Sequence, residues 1–174
     1  AATVAVVGPR AAGKSTVGPL LAEALGFGFV DADIELAARA GQPAGTFLER
    51  VGEPAFRKLE VEVSTPLLQL PSTVVALGGG AVLSAELVRC LLGETVYTAL
   101  LVAEVSVLTA RLARSPTLRP PLSNMSPADE VAHLLAARLP LYRQVARTEI
   151  DTGRLSANEV ASTLAERVRG AFAI

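Results

Sequence analysis

Short β-branched runs alternate along the chain with longer stretches in which apolar residues recur every three or four positions, the pattern of strands set between amphipathic helices. The runs predict strands at residues 4–7, 29–30, 74–77, 96–102 and 149–150. The helical spacing predicts helices over 14–25, 34–40, 54–70, 85–92, 105–114, 128–137 and 158–171. In the third of these Phe56, Leu59, Val63 and Leu67 make the apolar stripe, and Pro54 suits a first turn, where its missing N–H has no helical partner to lose. The alternation predicts an α/β fold with a parallel sheet, since parallel strands need crossover connections. Pro19 breaks a local rule: inside the first helix it removes a backbone hydrogen bond at a cost of about 3 kcal/mol, so a kink or a short 3₁₀ start is expected. Residues 115–127 are the least regular, interrupted by Pro116, Pro120, Pro121, Ser123, Asn124 and Pro127. Loops of this kind are commonly lids or binding loops.

With 174 residues and 51% hydrophobic content, one domain over residues 1–174 is expected. A net charge of −1 offers no broad attraction to nucleic acid or to acidic membranes. Cys90 and His133 are each the only residue of their type, so neither a disulfide framework nor a Cys/His zinc site can form within one chain. A reducing, cytoplasmic setting is expected. The first residues run into the apolar strand without a basic stretch, against a signal peptide, and the run at 96–102 is too short to span a bilayer. The chain reads as soluble.

Gly8 and Gly13-Lys14-Ser15 match G-x-x-x-x-G-K-[ST], with an apolar strand before the match and an amphipathic helix after it. Glycines let such a loop curl until successive N–H groups point at phosphate oxygens, and the helix start adds its positive dipole end. Ala11, Ala12, Gly13, Lys14, Ser15 and Thr16 are therefore expected to hold the phosphates of ATP. Lys14 would reach the β- and γ-phosphates and Ser15 would ligate Mg²⁺. The loop by itself leaves the phosphoryl acceptor open.

Four features follow it in order: Asp31-Ala32-Asp33, Gly52-Glu53 ahead of Phe56-Arg57, the triplet Gly78-Gly79-Gly80, and Arg119-Pro120 before Arg138-Leu139-Pro140-Leu141-Tyr142. Together they resemble the shikimate kinase family, from about residue 3 to about residue 169. The resemblance implies a three-layer P-loop NTPase fold with a central five-stranded parallel sheet, a helical substrate-binding region at about 32–60 and a mobile lid at about 112–126. It implies a monomer that converts ATP and shikimate to ADP and shikimate 3-phosphate, on the route to chorismate and the aromatic amino acids.

By position in the family pattern, Asp33 contacts the substrate hydroxyls and can accept a proton, while Asp31 helps to hold Mg²⁺, through water. Arg57 and Arg138 grip the substrate carboxylate, the Gly78-Gly79-Gly80 triplet lets substrate approach the backbone, and Arg119 folds over the phosphates. Each has an ordinary alternative. Asp31 and Asp33 suit a helix cap, Arg57 has helical partners in Glu53 and Glu60, and a loop arginine is usually solvated. On the adenine side Arg111 or Arg114 could stack on the base and Arg154 could approach it, a choice that spacing leaves open. Cys90 and His133, on apolar patterns, read as structural. The chain departs from the usual pattern at Ala11, where a second loop glycine is common, at Ala37, where many members carry glutamate, and at Pro121, where leucine is common. Two other readings stay open: a P-loop kinase for another small hydroxy acid, polyol or nucleotide, and a non-catalytic nucleotide-binding homologue. Retention of Lys14, Ser15, Asp33 and Arg119 favours catalysis, and the two arginines favour an acid.

Overall fold

In the computed structural model, which describes residues 2–115 and 124–174, β1 (Thr3–Val7) is buried along its whole length. It lies at the centre of a five-stranded sheet ordered β2-β3-β1-β4-β5. β1 pairs in parallel with β3 (Thr73–Ala76) and β4 (Val96–Val102), while β2 (Gly28–Asp31) and β5 (Thr148–Asp151) form the edges, also in parallel. Strands covered on both faces read as continuous apolar runs, which is why β1, β3 and β4 were legible.

Alternate residues of β1 serve the two faces. Val4 and Val6 pack with Leu21 of α1 (Lys14–Leu25), Leu108 of α6 (Val105–Ala113) and Leu164 of α8 (Ala157–Phe172). Ala5 and Val7 pack with Leu87 of α5 (Ala85–Leu91) and with Tyr142 and Val145 of α7 (Pro127–Val145). A third, smaller core joins α2 (Ala32–Ala40), α3 (Ala44–Val51) and α4 (Glu53–Leu67) through Leu36, Phe56, Val63 and Phe47. All five strands run the same way, so the loops after them gather on one side of the sheet, the side on which α/β proteins place their sites.

The helical region expected at about 32–60 contains α3, for which the apolar spacing predicts no separate helix; Phe47 holds it, its ring centroid 6.2 Å from that of Phe56. One expectation is corrected: the helix predicted over 128–137 runs on to Val145, so residues 138–142 are helical. Pro140 removes one backbone bond there, and burial of Tyr142 and Val145 on the sheet offsets it. At the start of α1 a 3₁₀ bond is present, Thr16 N–H to the Gly13 carbonyl at 3.1 Å, beside the α-helical bond from Val17 at 2.8 Å. The helix then continues through Pro19. Among the described residues no helix is long and apolar enough to cross a membrane.

Candidate active site

The loop after β1 is shaped by two glycines that no other residue could replace. Gly8 has φ 146°, and a Cβ there would collide with the Leu101 carbonyl oxygen of β4. Gly13, at φ 105°, sits at the cap of α1. Ala11 adopts φ 68° although it carries a side chain, at a cost of about 1 kcal/mol or more. Lys14 Nζ donates to the carbonyls of Gly8 at 2.6 Å and Pro9 at 2.9 Å. Ser15 Oγ donates to Asp31 Oδ2 at 3.0 Å. The other oxygen of Asp31 accepts from the N–H groups of Asp33 at 2.9 Å and Ile34 at 3.4 Å, capping α2. Asp31 is thus the cap, and one of its oxygens remains directed at Ser15. Two hard oxygens side by side at the loop fit Mg²⁺, which takes one or two protein ligands together with substrate phosphates. No group of three or more His, Cys, Asp and Glu that could cage a metal occurs among the described residues.

The three glycines after β3 bring a second group of side chains together. A Cβ at Gly78 would lie 2.8 Å from Asp33 Oδ1 and 3.2 Å from Glu60 Oε2, and one at Gly80 would run into the Arg57 guanidinium. A Cβ at Gly79 would lie 3.7 Å from Arg138 Nη1 and 3.6 Å from the backbone nitrogen of Arg10 in the loop. Asp33 from α2, Arg57 from α4 and Arg138 from α7 therefore converge beside the loop after β1. Tyr142, one helical turn beyond Arg138, donates its hydroxyl to the Gly79 carbonyl at 2.5 Å and also bonds Arg138. Burial pushes its phenol pKa up. Nothing in the spacing of Tyr142 along the chain indicates this contact, which joins residues 63 positions apart.

Glu60 is the site residue that sequence reasoning missed. Expected as a surface partner of Arg57, it is only 3% exposed. Its Oε1 meets Arg57 Nη1 at 2.7 Å, while Glu53 meets Arg57 Nε at 3.5 Å. The signal was available, because Glu60 stands four residues after Phe56 and three before Val63, on the apolar stripe of α4. Burial raises its carboxyl pKa above the ordinary 4.5, with Asp33 adding to the rise and Arg57 and Arg138 opposing it. A carboxyl raised on folding contributes stability that is complete below the unfolded value and is lost as pH rises through the folded value. Glu60→Gln removes that titration. The melting-temperature difference between Glu60→Gln and the parent is expected to be flat below pH 4.5 and to move in favour of the variant as pH rises. A difference independent of pH would contradict it.

At the other end of the loop, Arg111 Nη1 donates to the Ala11 carbonyl and to Thr152 Oγ1, both at 3.0 Å, and Nη2 donates to the Thr152 carbonyl at 2.9 Å. Arg154 pairs with Glu104 and Asp151, each at 3.6 Å, around a recess of about 70 Å³ that Val107 and Gly153 complete. Arg114 is exposed just past α6. Arg119, with Pro120, Pro121 and Leu122, lies outside the described residues. Cys90 is half-buried, and His133, expected on an apolar pattern, is exposed on α7.

A family model described as shikimate kinase matches residues 10–169. The chain belongs to the shikimate kinase family. Membership brings shikimate kinase activity and the use of ATP. The shikimate kinase of Saccharopolyspora erythraea is 41% identical over 165 residues, 94% of this chain and 91% of that protein. That of Nitratidesulfovibrio vulgaris is 44% identical over 146 residues, 83% of each chain. Among solved structures, the shikimate kinase from Acinetobacter baumannii in complex with shikimate superposes with a TM-score of 0.89 at 33% identity, covering 97% of this chain and 93% of the other.

Proposed function

We propose that residues 8–16 hold the phosphates of ATP and that the pocket around Gly78, Gly79 and Gly80 holds shikimate, so that the γ-phosphoryl group passes between them. The observation that carries this assignment is the convergence of one carboxylate, Asp33, and two guanidiniums, Arg57 and Arg138, on three glycines that adjoin the loop. Two planar guanidiniums from different helices fork a carboxylate and select an acid over a neutral polyol. With the acid held there, Asp33 orients a ring hydroxyl and accepts its proton as the oxygen attacks. The O–P bond forms while the bond from the γ-phosphorus to the bridging oxygen breaks, and ADP leaves in line.

The N–H groups of Ala11, Gly13, Lys14 and Ser15 and the Lys14 ammonium stabilise charge on the phosphates. Mg²⁺, held by Ser15 and through water by Asp31, would neutralise charge between the β- and γ-phosphates. By the family pattern Arg119 neutralises charge on the phosphates. Arg111 and Arg154 flank the end of the loop remote from the acceptor and take the adenine side, with Arg114 the alternative to Arg111. The lone Cys90 suits a cytoplasmic setting.

The test is ADP release with Mg²⁺ and ATP against shikimate, quinate, gluconate and nucleoside monophosphates. Release with shikimate is expected to dominate. Release with gluconate or a nucleotide and none with shikimate would favour a P-loop kinase for another acceptor, and none with any acceptor would favour a non-catalytic nucleotide-binding homologue.

A further inference from the structure

Thr152, the first residue after β5, is 6% exposed, and its hydroxyl is engaged on both sides. Oγ1 donates to the Ala12 carbonyl at 2.6 Å and accepts from Arg111 Nη1 at 3.0 Å. The same Arg111 nitrogen donates to the Ala11 carbonyl, and Nη2 grips the carbonyl of Thr152 itself. The two loop carbonyls held in this way belong to consecutive peptide planes. In a planar trans peptide the C=O and the following N–H point in opposite directions. Holding the carbonyls of Ala11 and Ala12 therefore fixes the direction of the N–H group of Ala12, which donates to the Pro9 carbonyl at 3.2 Å and closes the loop, and of that of Gly13.

The brace acts where the loop has reason to relax. Ala11 is held at φ 68°, a conformation that strains any side chain. The Thr152 hydroxyl also passes the polarisation of a guanidinium to the Ala12 carbonyl, which strengthens the shorter bond. We propose that Thr152 is a positioning residue for phosphoryl transfer, which together with Arg111 keeps the strained loop in its phosphate-binding shape. This rests on the reading of residues 8–16 as the ATP loop. Thr152 acts through the loop, its hydroxyl being engaged with Ala12 and Arg111.

Thr152→Val keeps the shape and loses the hydroxyl, while Thr152→Ser keeps the hydroxyl. ATP binding is measured by calorimetry and both Michaelis constants by steady-state kinetics. Thr152→Val is expected to raise the ATP dissociation constant and KM about ten-fold and to lower kcat, with KM for shikimate within about two-fold of the parent. Thr152→Ser is expected to restore ATP binding to within about two-fold of the parent. Should the valine variant not fold, Thr152→Ala carries the same comparison. Unchanged ATP binding in Thr152→Val, or an equal rise in both KM values that serine does not rescue, would overturn the proposal. A parent chain that binds no ATP would remove the reading of the loop and the brace with it.

Discussion

Replacing Lys14 with alanine is expected to lower kcat by about a thousand-fold while leaving KM for shikimate within a few-fold of the parent. The expectation follows from where the ammonium is held. Its bonds to the carbonyls of Gly8 and Pro9 keep it at the loop, so its charge is in place before nucleotide arrives. Charge accumulates on the transferring group only as the bonds exchange, so a cation fixed beside it stabilises the transition state more than the ground state. The acceptor pocket is built by α2, α4 and α7 and the glycine triplet, so its affinity for the acid should survive the change. Lys14→Arg should recover little, because a planar fork does not replace a compact ammonium at the end of a flexible stem. Steady-state kinetics with either substrate varied decides the matter. A kcat within about ten-fold of the parent would remove Lys14 from transition-state stabilisation.

Arg57→Ala is expected to act on the other constant, raising KM for shikimate about a hundred-fold with a smaller change in kcat. The loss has two parts. One guanidinium that would fork the carboxylate disappears, and the Glu60 carboxylate it pairs with at 2.7 Å is left facing the incoming acid. The same substitution strips a buried carboxylate of its cation, which destabilises the fold by about 2 kcal/mol at pH 7. That figure is below the usual range for a buried pair because the Arg57 side chain is 18% exposed and Glu60 can take up a proton. Without Arg57 the Glu60 pKa rises further, so the loss of stability should shrink as pH falls towards 4.5. Urea unfolding at two pH values measures it. An unchanged KM for the acid in Arg57→Ala would contradict the assignment of the substrate site.

Much of the candidate site is visible in the sequence because its residues are tied to local pattern. The loop from Gly8 to Lys14 announces itself by glycine spacing between a strand and a helix, and Asp31 and Asp33 stand at the end of β2, where cap and ligand roles both need a carboxylate. Arg57 and Arg138 were recognised only by their place in an ordered set. Glu60, Tyr142 and Thr152 went unassigned, since the contact that matters for each is long-range or depends on burial. Tyr142 reaches a carbonyl 63 residues away and Thr152 one 140 residues away.

The sequence by itself determined the five strands, the class of the sheet and the phosphate loop, because apolar periodicity and glycine spacing are local consequences of backbone geometry. Only the tertiary structure decided that α7 continues through Pro140 and that α3 is a helix, because packing against the sheet and against Phe56 outweighs local breakers. It also decided that Glu60 is buried beneath Arg57 and that Thr152 braces the loop. Those roles arise where separate elements meet, and no spacing along the chain encodes a meeting of α4 with the glycine triplet, or of the end of β5 with the loop after β1.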